Sequence, residues 1–495
     1  MTSLRRIEST PVRVAGAALM AVSTGMAVSA VVALVDGGGA GAALAWSAAL
    51  TAAVGTAMLA GAKVSRRSDA PLSYATVAWS WVAVSVAGAL PFLLSGTIGW
   101  ADVDNALFES VSGFTCTGAT VLDDIDAVPQ GLLFFRSMTQ WFGGMGLIVL
   151  AVAVLPALKV GGLELIAGEA PGPTADRLTP RISETARRLW FLYGAVTVVV
   201  AAALALAGLS PFDAVAHAFS TVATGGFSTH SASIAYFDSF VVELVVMAGM
   251  VYCGMNFAMH WHLIAGGQRS FRGYSELRWY VGILLAGAVL LVLVNGAGAP
   301  AGDNVRQSLF YAASLGSSTG FGTSDYTAWL PAAQMVVLLL MVVGGMTGST
   351  AGGLKVLRLQ LTVRYAVREV LRARYPRAVL PMRIGEMNVA EQVAARAIGF
   401  VLLYMGLVVV GGVAVTALGA DPLTGFSGAL AAIANMGPAL GAAGPADTAL
   451  EFPRAARPIL AVLMMFGRLE VFPAMLMFVA AGRAVARSRR DRLPA

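Results

Sequence analysis

Four short runs hold most of the polar backbone chemistry of an otherwise apolar chain: SGFTCTGAT (112–120), TVATGGFST (221–229), SSTGFGT (317–323) and ANMGPALG (434–441). Each centres on a glycine, Gly118, Gly225, Gly320 and Gly437, spaced 107, 95 and 117 residues apart. Glycine admits conformations that turn successive carbonyls one way, and Ser and Thr add hydroxyl oxygens. A ring of such oxygens can replace the hydration shell of a monovalent cation. No acidic side chain lies within the four runs. Divalent cations usually recruit carboxylates, so the chemistry suits a weakly hydrated monovalent ion. One such run alone would read as a turn between helices. Four of them, each preceded by a short helical stretch, read as a selectivity filter.

Those preceding stretches are NALFESVSGF, PFDAVAHAFS, VRQSLFYAAS and GFSGALAAIA. About ten residues cannot span a bilayer, so they suit re-entrant half-helices that enter from outside and stop midway. Their negative C-terminal ends would then point at the centre and favour a cation there. Non-helical backbone at that depth must be buried in protein or line water, which four segments around one axis achieve.

The surrounding elements follow from composition. The chain has 495 residues, is 57% hydrophobic and only 12% charged, with a mean hydropathy of +0.75. Such a sequence has too little polar surface for a soluble protein. Spanning helices are predicted at 11–33, 42–62, 72–97, 131–156, 189–209, 240–265, 279–298, 333–363, 393–418 and 456–482. The first is too long for a signal peptide and is followed by nine like it. With the N-terminus cytoplasmic, the inside segments 1–13, 63–67, 157–188, 268–278, 355–396 and 483–492 hold 28 of the 33 Lys and Arg residues, as the positive-inside rule demands. Arg136, Arg306, Arg454 and Arg457 fall outside. The outer segments are acidic and would enrich cations near that face. The basic pI of 9.5 thus describes one face and does not indicate nucleic-acid binding.

Other chemistries fit poorly. Cys116 and Cys253 are too far apart in topology to form a disulfide framework. His260 and His262 in MHWHL stand two apart on a helix, on different faces, which disfavours a metal site. DDID (123–126) resembles the magnesium motif of membrane prenyltransferases, but no second acidic cluster accompanies it. No GxxxxGK[ST] loop is present to hydrolyse a nucleotide. The chain is therefore expected not to be an enzyme and to bind no cofactor covalently. A secondary transporter coupled to protons or sodium remains an alternative.

Two further features point to regulation. GGMTGSTAGGLK places Gly344, Gly345, Gly348, Ser349, Thr350, Gly352 and Gly353 inside a predicted spanning helix. Each glycine weakens a helix by about 1 kcal/mol relative to alanine, so this helix should break at mid-membrane, below the filter. Close packing of small residues is the plainer explanation; a gate is the favoured one. Arg468 lies within the last apolar segment, where a charge costs about 3 kcal/mol or more and normally faces protein or a cavity. Glu470, two residues on, points elsewhere on the helix. Arg468 is expected beside the ion path, near 344–353. Eight basic residues in 355–385 continue from that loop, suited either to headgroups or to a docked partner.

These residues resemble the pore-forming membrane subunit of the Trk potassium uptake system (TrkH type), within a superfamily that includes Ktr and plant HKT transporters. The resemblance runs over nearly the whole chain. It rests on the four filters, RSMTQWFGGMGLIVLAVAVLP from Arg136, PRISETARRLW from Pro180, GGMTGSTAGGLKVLR from Gly344 and GRLEVFP from Gly467. It implies an all-α integral membrane fold with four M1–pore-loop–M2 repeats around one ion path, preceded by two helices. The implied divisions are 1–70, 71–160, 161–270, 271–385 with an intramembrane gating loop at 344–353, and 386–495. It further implies potassium uptake across the bacterial inner membrane with both termini cytoplasmic, a homodimer, and a cytosolic TrkA-type regulator with RCK domains that alone binds nucleotide. A Ktr-like sodium-dependent or proton-coupled transporter is the alternative. The filter carried over is Cys116–Thr117–Gly118, Ala223–Thr224–Gly225, Ser318–Thr319–Gly320 and Asn435–Met436–Gly437, with Thr117 the leading hydroxyl contributor. Cys116 replaces a common Thr and Ala439 a common Gly, which bears on the degree of selectivity.

Overall fold

The computed structural model describes residues 9–61, 70–149, 182–266, 274–295, 301–385 and 387–469. The predicted cytoplasmic segments at 1–13, 63–67, 157–188, 268–278 and 483–492 lie wholly or partly outside these residues. So do the C-terminal parts of the spans predicted at 131–156 and 456–482.

The described backbone is mostly helical. Two helices, Ser9–Asp36 and Gly41–Gly61, form a hairpin that packs on Ala70–Leu94 and Gln130–Val149. Four sets of three elements follow. The outer helices are Ala70–Leu94, Ile182–Leu206, Ser275–Asn295 and Glu391–Ala417; the half-helices are Val103–Phe114, Pro211–Val222, Ala301–Gly316 and Pro422–Ala434; the inner helices begin at Gln130, Phe240, Pro331 and Arg457. Five described helices, the first hairpin pair and the outer helices of the last three repeats, are long and apolar enough to cross a membrane. Their outward faces carry Leu206, Leu293, Leu402 and Val199, exposed as hydrocarbon-facing side chains are.

The repeats close on one another. The inner helix of each of the first three repeats packs on the half-helix of the next, and the fourth, Arg457–Arg468, packs on the first half-helix, Val103–Phe114. This closed order surrounds a single axis. The outer arginines brace it. Arg306 pairs with Glu243 at 2.7 Å, and Arg454 pairs with Asp102 and Asp104. The hydrogen bond from Arg454 holds the Asp104 carboxyl below its ordinary range.

Two inner helices depart from straight spans. The third stops at Val343 and resumes at Val356, the break expected from its glycines. The second, predicted as one helix over 240–265, bends by 96° between Phe240–Cys253 and Phe257–Ile264. Asn256 causes this: its Oδ1 accepts from the Ala258 and Met259 N–H groups and caps a new helix. A two-residue ribbon, Arg383–Ile384 with Met387–Asn388, follows the helix Val356–Arg374.

Candidate ion pathway

Each half-helix is built to start near the protein surface and stop in its interior. Ser210 and Asp421 cap two of them by accepting from Asp213 and Thr424 N–H, with a proline in the first turn. All four end in the same turn. The N–H groups of Thr117, Gly225, Thr319 and Met436 donate back to Ser112, Ser220, Ser314 and Ala431 carbonyls at 2.8–2.9 Å. The residue before each donor, Cys116, Thr224, Ser318 and Asn435, takes a left-handed φ between 52° and 56°. Outside glycine this conformation costs about 1–2 kcal/mol per residue. Strain repeated four times at one level is the kind that collects at functional sites.

That turn sets the register of the strands beyond it. Counting from the donor, the next residues are Gly118, Gly226, Gly320 and Gly437. They line one cavity at the outer end of the axis, with Asp123 and Asp447. They also interlock. A Cβ on Gly118 would overlap the Gly225 carbonyl, one on Gly226 the Thr319 carbonyl, one on Gly320 would press on Pro438, and one on Gly437 would meet the Gly118 backbone. The second repeat is therefore one residue out of the register read from the sequence. Its set is Thr224–Gly225–Gly226, and Ala223 is the last residue in helical geometry, the counterpart of Thr115. The pairs Gly226–Phe227 and Gly320–Phe321, each six residues after a serine, carry this register in the sequence. Matching Thr224–Gly225 to the TG pairs of the first and third runs instead misplaces it.

The Thr117 hydroxyl lies 2.8 Å from that of Thr115 and accepts from Asn435 Nδ2 at 3.3 Å; Thr319 pairs likewise with Ser317 at 2.7 Å. These hydroxyls thus already have partners within the turns. The backbone carbonyls of the glycine ring are the oxygens best placed for an ion.

Behind the ring is a buried charge pair that sequence reading missed. Arg136 and Glu109, 2% and 1% exposed, meet at 2.7 Å. Glu109 accepts from Thr120 and Val121, and Arg136 donates to the Ser228 carbonyl at 2.8 Å and lies over the Phe227 ring. The pair so ties the first and second glycine-run strands together. Arg136→Leu leaves Glu109 buried without its cation, which costs about 3–5 kcal/mol. Thermal unfolding of the purified protein in detergent should show a large loss of stability.

Directly beneath the ring lies the segment 344–355. It touches three of the four left-handed turns. Thr350 Oγ1 donates to the Val222 carbonyl at 3.0 Å and meets the Thr224 hydroxyl; Gly352 N–H donates to Ser318 Oγ at 2.6 Å; a Cβ on Gly352 would overlap the Ala434 carbonyl beside Asn435. Arg468 completes the set. Its Nη1 donates to the Thr350 carbonyl at 2.9 Å and its Nη2 to Cys116 Sγ at 3.1 Å. Gly344, Gly348 and Gly353 turn the chain at φ 70–79°, and Gly345 packs on the Gly254 carbonyl. Ser349 closes a local turn on the Met346 carbonyl. The bend in the second inner helix holds the loop: Asn256 Nδ2 donates to the Thr347 carbonyl at 2.7 Å and Phe257 N–H to that of Gly348. Glu276 spans both ends, accepting from Thr347 and Leu357 N–H. Below, a small cavity is walled by Gly353, Lys355, Arg358, Tyr404 and Arg468. Glu470 lies outside the described residues. His260 binds the Tyr252 carbonyl, away from the axis.

A family model described as TrkH, cation transport protein, matches residues 43–484. The Trk system potassium uptake protein TrkH of Halomonas elongata is 40% identical over 81% of this chain and 83% of its own length. That of Escherichia coli K12 is 39% identical over 80% and 83%. The crystal structure of the potassium transporter TrkH from Vibrio parahaemolyticus matches with a TM-score of 0.87 at 34% identity, covering 95% of this chain and 98% of that one.

Proposed function

The chain belongs to the TrkH family of cation transport proteins, and on that premise we propose that it takes up potassium across the bacterial inner membrane through the ring of Gly118, Gly226, Gly320 and Gly437. One observation carries this reading. Four half-helices end around that ring; three of their left-handed turns meet a single loop beneath, and the fourth, at Cys116, meets Arg468, which is bonded to that loop. Helix C-termini favour a cation, and a carbonyl ring suits potassium.

In this account the loop 344–353 is the gate. It blocks the axis below the ring, and Arg468 both anchors it and repels cations. Helix Val356–Arg374 leads directly from the loop to basic cytoplasmic surface. A nucleotide-binding regulator docked there could pull on the gate, and the pore subunit works as a homodimer. Both termini are cytoplasmic, and the chain itself needs no cofactor. The related proteins named for the Trk system support a multi-component assembly.

The test is potassium uptake by a strain lacking its own uptake systems, grown at limiting potassium and supplied with the cognate cytosolic partner. Rescue by the wild type is expected. Failure with the partner present would overturn the potassium reading. Repeating the flux with and without a proton gradient separates a gated channel from a coupled transporter.

A further inference from the structure

Resting on the potassium reading above, we propose that Gln140 is the positioning residue for the second filter strand, and that selectivity in that repeat is set by this side chain of its neighbour. Gln140 comes from the inner helix of the first repeat and is fully buried. Its Nε2 donates to the Gly225 carbonyl at 2.7 Å, and its Oε1 accepts from the Phe227 N–H at 3.1 Å. One planar amide thus clasps the backbone on both sides of Gly226. The orientation of the amide is fixed by its partners, since a carbonyl can only accept and an N–H can only donate.

Two other repeats hold this stretch from within. Ser112 Oγ donates to the Ala119 carbonyl at 2.5 Å, and Ser314 Oγ to the Phe321 carbonyl at 2.8 Å, in each case just past the ring glycine. Ser220 occupies the same position in the second repeat, as its backbone bond to Gly225 shows. Its hydroxyl is buried and has no hydrogen-bond partner. The serine is present, but the strand is held by Gln140 instead.

Side-chain space tells the same story independently. Position 225 is the counterpart of Thr117, Thr319 and Met436, which all carry side chains. A Cβ on Gly225 would lie 2.5 Å from Gln140 Oε1 and 2.7 Å from Nε2. Gly225 is not among the residues in the left-handed region, so its conformation does not demand glycine. The carboxamide of Gln140 demands it. The double glycine of TVATGGFST is thereby explained: Gly226 serves the ring, and Gly225 makes room for the clasp. Gln140 also touches the glycine run of its own repeat, since its backbone carbonyl accepts from Cys116 Sγ at 3.2 Å.

Potassium and sodium uptake would be measured with the full chain and its cytosolic partner, alongside the membrane level of each variant. Gln140→Leu should lower the potassium-to-sodium uptake ratio by about tenfold or more, because two buried hydrogen bonds vanish. Gln140→Met keeps much of the volume but loses both the donor to Gly225 and the acceptor for Phe227 N–H, and gives the same readout should Gln140→Leu fail to accumulate. Gly225→Thr should lose uptake, and Gln140→Ala combined with Gly225→Thr should recover most of it. An unchanged ratio in both Gln140 variants, or normal uptake by Gly225→Thr with Gln140 in place, would overturn the proposal. Should the wild type carry no potassium, the potassium reading falls and the clasp is judged by thermal stability. Gly225→Thr must then destabilise the protein alone but not on top of Gln140→Ala, and additive effects would overturn it.

Discussion

Gly226→Ala is expected to abolish potassium uptake while the protein still reaches the membrane. Gly226 holds φ 79°, a region costly to any residue with a Cβ. The added methyl would also overlap the Thr319 carbonyl of the next repeat. Backbone cannot move aside there without disturbing Gly320, which sits so close to the fourth strand that a Cβ on it would lie 2.9 Å from Pro438 and 3.2 Å from Gly437 N. One methyl therefore reaches three repeats of the ring. An ion that loses part of its carbonyl shell by a few tenths of an ångström loses the compensation for its hydration, and uptake should fall by about a hundredfold or more, as for other defects of a few kcal/mol in a preorganised site. Gly225→Ala meets Gln140 instead, so its defect should be relieved by Gln140→Ala. Gly226→Ala should not be relieved. Uptake kinetics of the four variants decide this, and equal effects at 225 and 226 would return the second repeat to the register read from the sequence.

Arg468→Ala is expected to raise basal cation flux and weaken its dependence on the cytosolic partner. Arg468 is 1% exposed and has no acidic partner among the described residues. Its charge is directed instead at the Thr350 carbonyl in the loop and at Cys116, two residues before the ring glycine Gly118. A fixed positive charge within several ångströms of the axis costs a passing cation a few kcal/mol at an effective dielectric near 20. Removing it should raise flux about tenfold to hundredfold. Truncation also frees the Thr350 carbonyl, so the loop loses an anchor to the fourth repeat. Arg468→Lys keeps the charge but not the two-pronged donor, and should restore the barrier without fully restoring control by the partner. Flux through Arg468→Ala equal to wild type would exclude both roles.

Much of this architecture is legible in the amino-acid sequence. The recurrence of glycine runs behind short helical stretches identifies the half-helices, because a ten-residue apolar helix has few other uses in a membrane protein. Glycine density at 344–353 identifies the broken helix, and the isolated Arg468 draws notice because a charge at that depth needs a reason; it is found bonded to that broken segment and to Cys116. Three features are not legible in this way. The second filter register hinges on choosing between Gly225 and Gly226, and a TG pair outweighs the GF pair that follows it. The bend at Asn256 is hidden because one asparagine in an apolar helix carries little signal until its amide is seen capping Ala258 and Met259. Gln140, Glu109 and Arg136 act across separations of 27 to 92 residues, and no local pattern announces such partners.

The most direct measurement is ion occupancy on the axis. The protein would be crystallised in rubidium or thallium, and the anomalous signal located. The expected result is a peak centred among the carbonyls at Gly118, Gly226, Gly320 and Gly437, above the loop at 344–353, and its loss in Gly226→Ala. A wild-type structure with strong anomalous signal elsewhere and none inside that ring would contradict the assignment of these four glycines as the filter.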